Sequence, residues 1–259
     1  MTRFPGGRAL GFLLVAGLLL IWEAASLARL LNPFYFPPVH QVARSLVGSV
    51  LDGSLGMALF TSLGRGFAGY GFAAILGVGL GAVAGQHLFV RQLIDPVVEF
   101  LRPLPSPAII PLAILLLGIG SSMKVFIIAW ACFFPILLNT IDGVRGVPPA
   151  LIETARNFGL RYAASSLTVV LPAAMPAIFT GLRIALAVML ILTVVTEMIA
   201  GNNGIGFLLL EAERTFRIAD MYGFIIALGL VGYVLNRLFQ MVDRRVLAWH
   251  YAMHQVPAP

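Results

Sequence analysis

The chain has 259 residues, 59% of them hydrophobic and only 11% charged, and its mean hydropathy is +0.95. A soluble domain carries about 25% charged residues, so the composition argues against a soluble enzyme, a nucleic-acid binder or a disordered chain. The net charge of +6 is then read as arginine held in cytoplasmic loops, not as affinity for nucleic acid.

A membrane-crossing helix needs about 20 mostly apolar residues. The first such run covers about residues 9–30. Arg3 and Arg8 ahead of it imitate a signal peptide. No cleavage site with a polar domain behind it follows, so the run is read as a retained first span. Glu23, beside Trp22, is an acid that needs a partner or water at that depth. Arg65, at the start of the second span, is its expected partner, and a proton-coupled role is the alternative.

The second span is expected over about residues 59–86. Gly69, Ala73, Gly77, Gly81 and Gly85 recur every four residues, a stripe that lets a neighbouring backbone approach closely. The same stretch holds Gly77-x-Gly79-x-x-Ala82, but no strand precedes it and no helix starts there, so it is read as packing and not as a nucleotide site.

The third span is expected over about residues 104–120. It follows Arg102-Pro103-Leu104-Pro105-Ser106-Pro107. Proline removes a backbone donor and clashes with the preceding turn. Two readings stand: a broken helix beside a translocation pathway, with Pro105 and Pro107 at the break, or a helix that starts at Pro107 after a cytoplasmic turn. The fourth span, about residues 123–140, holds the single cysteine, Cys132, read as a small packing residue. Asn139 near its end is read as an interhelical hydrogen-bonding group.

Residues 142–172 are more hydrophilic. Pro148 and Pro149 suit the first turn of a helix. Leu151, Thr154, Ala155 and Phe158 share one face, and Gly159 suits a left-handed stop. Arg161 to Val170 then forms a second short helix that Pro172 ends. The fifth span is expected over about residues 176–200, with Thr193, Thr196 and Glu197 near its far end and Gly201-Asn202-Asn203-Gly204-Ile205-Gly206 after it. These residues are read either as an outer gate or as a loop with polar caps. Arg183 in the same span either snorkels to the surface or attracts an anion. The sixth span covers about residues 221–242.

Six spans place both termini on one side. With cytoplasmic termini, the inner segments hold ten cationic residues, among them Arg91, Arg145 and Arg156, against five outside, among them Arg29 and Lys124. This favours both termini in the cytoplasm. His40, His87, His250 and His254 are scattered, and none has a metal-ligand spacing.

Glu153-Thr154-Ala155, three residues, Gly159, nine residues, then Val169-Val170-Leu171-Pro172 resembles the Glu-Ala-Ala loop of bacterial ABC-importer permeases. The usual pattern is Glu-Ala-Ala, three residues, Gly, nine residues, Ile-x-Leu-Pro; this chain has Thr154 for the second Ala and Val169 for Ile. The resemblance extends to Thr61-Ser62-Leu63 with Arg65, to Leu101-Arg102-Pro103-Leu104-Pro105, to Phe134-Pro135 and to Gly181-Leu182-Arg183. Together these are similar to permeases of the nitrate/sulfonate/taurine type.

That resemblance implies an all-α, polytopic helix bundle in the bacterial cytoplasmic (inner) membrane, working as a homodimer. It also implies two cytoplasmic ATPase subunits, which hold the ATP and Mg, and an extracytoplasmic substrate-binding protein. Known cargoes include taurine, alkanesulfonates, nitrate and thiamin-precursor pyrimidines. Glu153, Thr154, Ala155, Arg156, Gly159, Leu171 and Pro172 would form the segment that couples to the ATPase, with Ala155 allowing close approach. Glu153 would pair with Arg156 or Arg161, or contact the ATPase. Pro105, Pro107, Glu197, Asn202 and Asn203 are the candidates for the pathway or its gate. The chain itself has no G-x-x-x-x-G-K-[S/T] phosphate loop and needs no cofactor of its own. An intramembrane protease would need motifs not found here. A self-sufficient secondary transporter would need midplane ion-coupling charges and two repeat halves.

Overall fold

A computed structural model describes residues 7–249. Among them the secondary structure is helical throughout: α1 Gly7–Leu27, α2 Val39–Leu51, α3 Ser54–Gln86, α4 Leu88–Leu101, α5 Ile110–Leu117, α6 Ser121–Arg145, α7 Pro149–Asn157, α8 Tyr162–Ser165, α9 Leu171–Ala200, α10 Ile205–Arg214 and α11 Ile218–Val246. A 3₁₀ turn, Ser106–Ile109, leads into α5, and a π-helical segment, Ser166–Val170, leads into α9.

The centre of the bundle is α3, α6 and α9. The small-residue stripe of α3 explains why. A Cβ added to Gly69 would lie 2.8 Å from Ile128, at Gly77 it would lie 2.9 Å from Ile136, and at Gly81 it would lie 2.7 Å from Thr140. Only glycine lets the α6 backbone come this close. Gly77 and Ala82 are thus buried within a helix–helix contact, in the interior of α3. Around this contact, Met123, Ile127, Ile128, Cys132, Ala185 and Met189 form the main core.

Among the described residues, four helical stretches are long and apolar enough to cross a membrane, at 54–86, 121–145, 162–200 and 218–246. A fifth is obtained if α4 and the residues Ser106–Leu117, bent by 89° at their junction, count as one broken span. The apolar part of α1, Leu13–Leu27, is shorter. The expected count of six is therefore not reached on length and apolarity alone.

The expected third span, 104–120, is corrected. The helix there ends at Leu117, where Gly118 turns with φ +73°. Pro103, Pro105 and Pro107 deny the segment its helical donors, so the chain arrives through a separate helix, α4, and breaks. α4 and Ser106–Leu117 thus form a bent pair, either one broken span or a re-entrant loop, and the second member begins at Ser106–Pro107. α4 itself was not expected, because Arg91, Asp95, Pro96 and Glu99 give 88–101 the look of a connecting segment.

Pro172 does not end a helix. Residues 162–200 run as one 39-residue stretch. The π segment immediately before Leu171 and Pro172 absorbs the misfit of the proline ring within a continuing helix. α2 and α10 are further additions. α2 is tied to α11 by the hydroxyl of Ser45, which donates to Asp220. α10 packs Ile205 and Ala212 against Leu55, Ala58, Phe224 and Ala227. Between α2 and α3, Asp52 accepts hydrogen bonds from the Ser54 hydroxyl and amide, which hold its carboxyl below the usual range.

Candidate functional site

Two regions carry the candidate residues, one toward each end of α3: Arg65 lies a third of the way along that helix and Gln86 is its last residue. Arg65 and Gln86 are separated by about 30 Å at 1.5 Å per residue.

At the first end, Glu197 is completely buried. Its Oε1 accepts from Arg65 Nη1 at 2.8 Å. Its Oε2 accepts from the Ser62 hydroxyl at 2.7 Å and from the Gly206 amide at 3.1 Å. Ser62 also accepts from the Ile205 amide at 2.9 Å. Arg65 donates further to the backbone carbonyl and side-chain carbonyl of Asn203, and through Nε to Ser121 Oγ at 3.0 Å. One carboxylate thus ties α3, α9 and the loop at 201–206 together, with α6 joined through Ser121.

Each glycine of that loop is explained by Glu197 and its helix. Gly204 has φ +101°, and any side chain there would strike the Glu197 carboxylate. A Cβ at Gly201 would meet the Glu197 carbonyl, and one at Gly206 the Val194 carbonyl. The backbone is wrapped on the acid as tightly as glycine allows.

This arrangement corrects the expected Glu23–Arg65 pair. Arg65 belongs to Glu197, and Glu23 pairs with His40 Nδ1 at 2.6 Å, supported by the His40 amide. The reason is packing: Gly66 and Gly69 carry the Arg65 face of α3 against α9 and α6, away from α1. Asn203 joins the cluster; Asn202 is exposed and makes no side-chain contact in it. Thr193 and Thr196 spend their hydroxyls on carbonyls of their own helix. Ser62, Ser121 and the buried Lys124 were missed. The spacing Ser62–Arg65–Gly66–Gly69, one helix face, was the available signal.

At the other end, α7 closes with a Schellman turn. The Gly159 amide donates to the Arg156 carbonyl at 2.9 Å and the Leu160 amide to Ala155 at 3.1 Å. Gly159 sits at φ +76°, as expected, with open space where a Cβ would go. Ala155 is buried against its own chain, so it is not the residue that admits a partner. Phe158, 83% exposed, and Leu151, 45% exposed, face outward instead. Glu153 and Arg156 are exposed, and Glu153 makes no ion pair with Arg156 or Arg161. Thr154 donates to the Ala150 carbonyl.

The loop is anchored by Val147, Val170, Ala174 and Ile178, with Ile152 and Leu171 beside them. Gln86 at the end of α3 donates to Ser166 Oγ at 2.9 Å. His87 Nε2 and Tyr162 Oη share a hydrogen bond of 2.9 Å. Pro172 is exposed and follows the π segment.

The proline break borders a cavity of about 460 Å³ lined by Arg102, Leu104, Ser106, Asn139, Asp142 and others. Pro105 and Pro107 shape the turn, while their neighbours form the wall. Asn139 donates within α6 to Pro135, not between helices. Arg183 is exposed. His250 and His254 lie outside the described residues.

A bundle of long apolar helices, with a short and largely exposed helix on the loop between two of them, has the architecture of a polytopic membrane protein. Residues 77–248 match the family of binding-protein-dependent transport system inner membrane components, and the chain belongs to that family. It is accordingly a permease component of an ABC importer. It is 34% identical over 238 residues to a putative ABC transporter permease protein of Methanocaldococcus jannaschii, covering 90% of this chain and 89% of that one. It is 31% identical over 241 residues to the taurine transport system permease protein TauC of Escherichia coli K12, covering 91% and 88%. Its fold is similar to a chain of the MetNI methionine ABC transporter in inward-facing conformations, with TM-score 0.66 at 17% identity, covering 76% of this chain and 97% of that one.

Proposed function

We propose that this permease works as a homodimer, with α7 as the helix that receives the stroke of a cytoplasmic ATPase. The observation that carries the reading is the geometry of α7. It is a short helix held to the bundle by its buried face and stopped by Gly159, and it offers Leu151 and Phe158 outward. An exposed phenylalanine beside Glu153 and Arg156 suits a groove on a partner better than it suits water. ATP and Mg belong to the two ATPase subunits, and this chain supplies the docking helix.

On this reading the α7 end is cytoplasmic, with both termini, and the Glu197 end faces the extracytoplasmic binding protein. α1 is then the sixth span. The cavity at the proline break lies on the translocation side, and its Arg102 and Asn139 meet cargo before release. The cargo is a small anion such as taurine, another sulfonate or nitrate, supported by the taurine permease among the relatives. A thiamin-precursor-like pyrimidine is the alternative.

The test is recovery of the tagged chain from its own host's membranes in mild detergent, with partners read by mass spectrometry. A co-purifying ATPase, lost in Gly159→Glu, is the expected result. An intact chain that comes down alone across several gentle detergents would overturn the reading in favour of a self-sufficient transporter.

A further inference from the structure

The cavity at the proline break carries charges of both signs. Arg102 borders it from just past α4, and Asp142 borders it from the last turn of α6. Both side chains are exposed. Neither makes an ion pair or a hydrogen bond with any described residue, so they are not paired with each other. Arg102 also borders the neighbouring cavity, where Arg91 pairs with Asp95 at 3.2 Å and Glu99 is on the wall; none of those three lines the first.

The polar groups of the cavity are sorted by side. The proline break supplies donors: the Arg102 guanidinium and the Ser106 hydroxyl, which has no hydrogen bond among the described residues. α6 supplies acceptors: the Asp142 carboxylate and, three residues earlier on the same face, the side-chain carbonyl of Asn139, whose amide alone is used, on Pro135. Between these two sides the wall is apolar and aromatic. Trp130, Phe134, Leu138 and Asp142 recur every four residues of α6, one face running from an indole to a carboxylate. The rings of Trp130 and Phe134 meet edge to face at 5.4 Å. A volume of about 460 Å³ with mostly apolar walls and a few convergent polar groups is the makeup of a small-molecule site.

A plain anion fits this wall badly. Asp142 would repel nitrate or an alkanesulfonate, and Arg102 would repel a plain cation. A short molecule with one charge of each sign satisfies both. Building on the reading of this cavity as part of the cargo path, we propose that it takes a small zwitterion, with the anionic end on Arg102 and Ser106 and the ammonium on Asp142 and Asn139, and that Asp142 sets this specificity. Amino-sulfonates and ω-amino-carboxylates share the required chemistry. Of the cargoes considered above, taurine has it, and nitrate and the simple alkanesulfonates do not.

The experiment is equilibrium binding of radiolabelled taurine and β-alanine to the purified full-length chain in detergent, with ethanesulfonate and ethylamine as competitors that each lack one end. The expected result is saturable binding near one zwitterion per chain, with both competitors weaker by about tenfold or more, because a site built for a polar group rejects the analogue without it. In Asp142→Asn the zwitterion should weaken and its advantage over ethanesulfonate should vanish. Folding of the variant is checked by thermal unfolding with a thiol-reactive fluorophore on Cys132, the only cysteine and fully buried. Binding of both zwitterions assigns the wider class, and binding of taurine alone assigns amino-sulfonates. Ethanesulfonate competing as well as taurine in the wild type, unchanged discrimination in folded Asp142→Asn, or no saturable binding of either zwitterion overturns the proposal. Should Asp142→Asn not fold, the wild-type series decides alone. A chain that brings down its ATPase but does not discriminate sinks the zwitterion and leaves the transport reading; one that binds the zwitterion yet brings down no ATPase does the reverse.

Discussion

The two ends of α3 hold the chain together in opposite ways. At the Arg65 end a buried carboxylate accepts three hydrogen bonds, and the loop that follows α9 is folded onto it. At the Gln86 end two single hydrogen bonds, Gln86 to Ser166 and Tyr162 with His87, help an apolar patch hold the loop in place. The first region has few alternative arrangements, because each movement would strand a buried charge. The second can lose a contact at little cost. A segment that must follow a partner belongs at the second kind of end.

The largest expected effect comes from breaking the buried carboxylate. Glu197→Gln leaves the Arg65 charge without its partner, and losing one member of a buried pair costs about 3–5 kcal/mol. The melting temperature, read through Cys132, should fall further than for any other single change discussed. A fall no larger than that of a surface substitution would show that the clamp is not buried as described.

Gly204→Ala sharpens the same point. Its φ of +101° and its contact with Glu197 leave no place for a methyl group. Backbone strain alone is about 1–3 kcal/mol. Loss of stability together with faster amide exchange at 201–206 is expected; unchanged exchange would count against the wrapped loop.

At the other end, Gly159→Ala and Gly159→Glu carry the same left-handed penalty, about 1–2 kcal/mol. They should melt together, since nothing lies near a Cβ there. They should differ in function: Ala retains ATPase and uptake, Glu loses both. Loss in both variants would assign the defect to the turn instead of the docking surface.

The smallest effect is expected at Glu23. Its bond to His40 is partly exposed, so Glu23→Gln should leave the melting temperature nearly unchanged. Exchanging the charges of Glu23 and Arg65 should give no rescue, because the two are not partners. Restored stability in that double variant would reinstate the pair.

The α3 packing face was readable from sequence because glycine every four residues has one meaning on a helix: close approach. The Gly159 stop was readable because its place after a helical run favours a left-handed turn. The partner of Arg65 was not. Glu23 and Glu197 both lie near the same membrane face, and the choice depends on which face of α3 meets α9, a tertiary fact. α4 and α10 were hidden for a different reason. Short helices with charges on one side have the composition of loops, and only the surfaces they cover reveal them. Pro172 misled because proline ordinarily stops a helix, and the preceding π turn that absorbs it has no signature in single-residue preference.

The contrast between the ends is tested most directly by hydrogen exchange on the chain alone and on the chain assembled with its ATPase. Amides over 149–160 should exchange quickly in the isolated chain and become protected on assembly. Amides over 201–206 should be slow in both. Equal protection of the two segments in the isolated chain, or no gain over 149–160 on assembly, would contradict it.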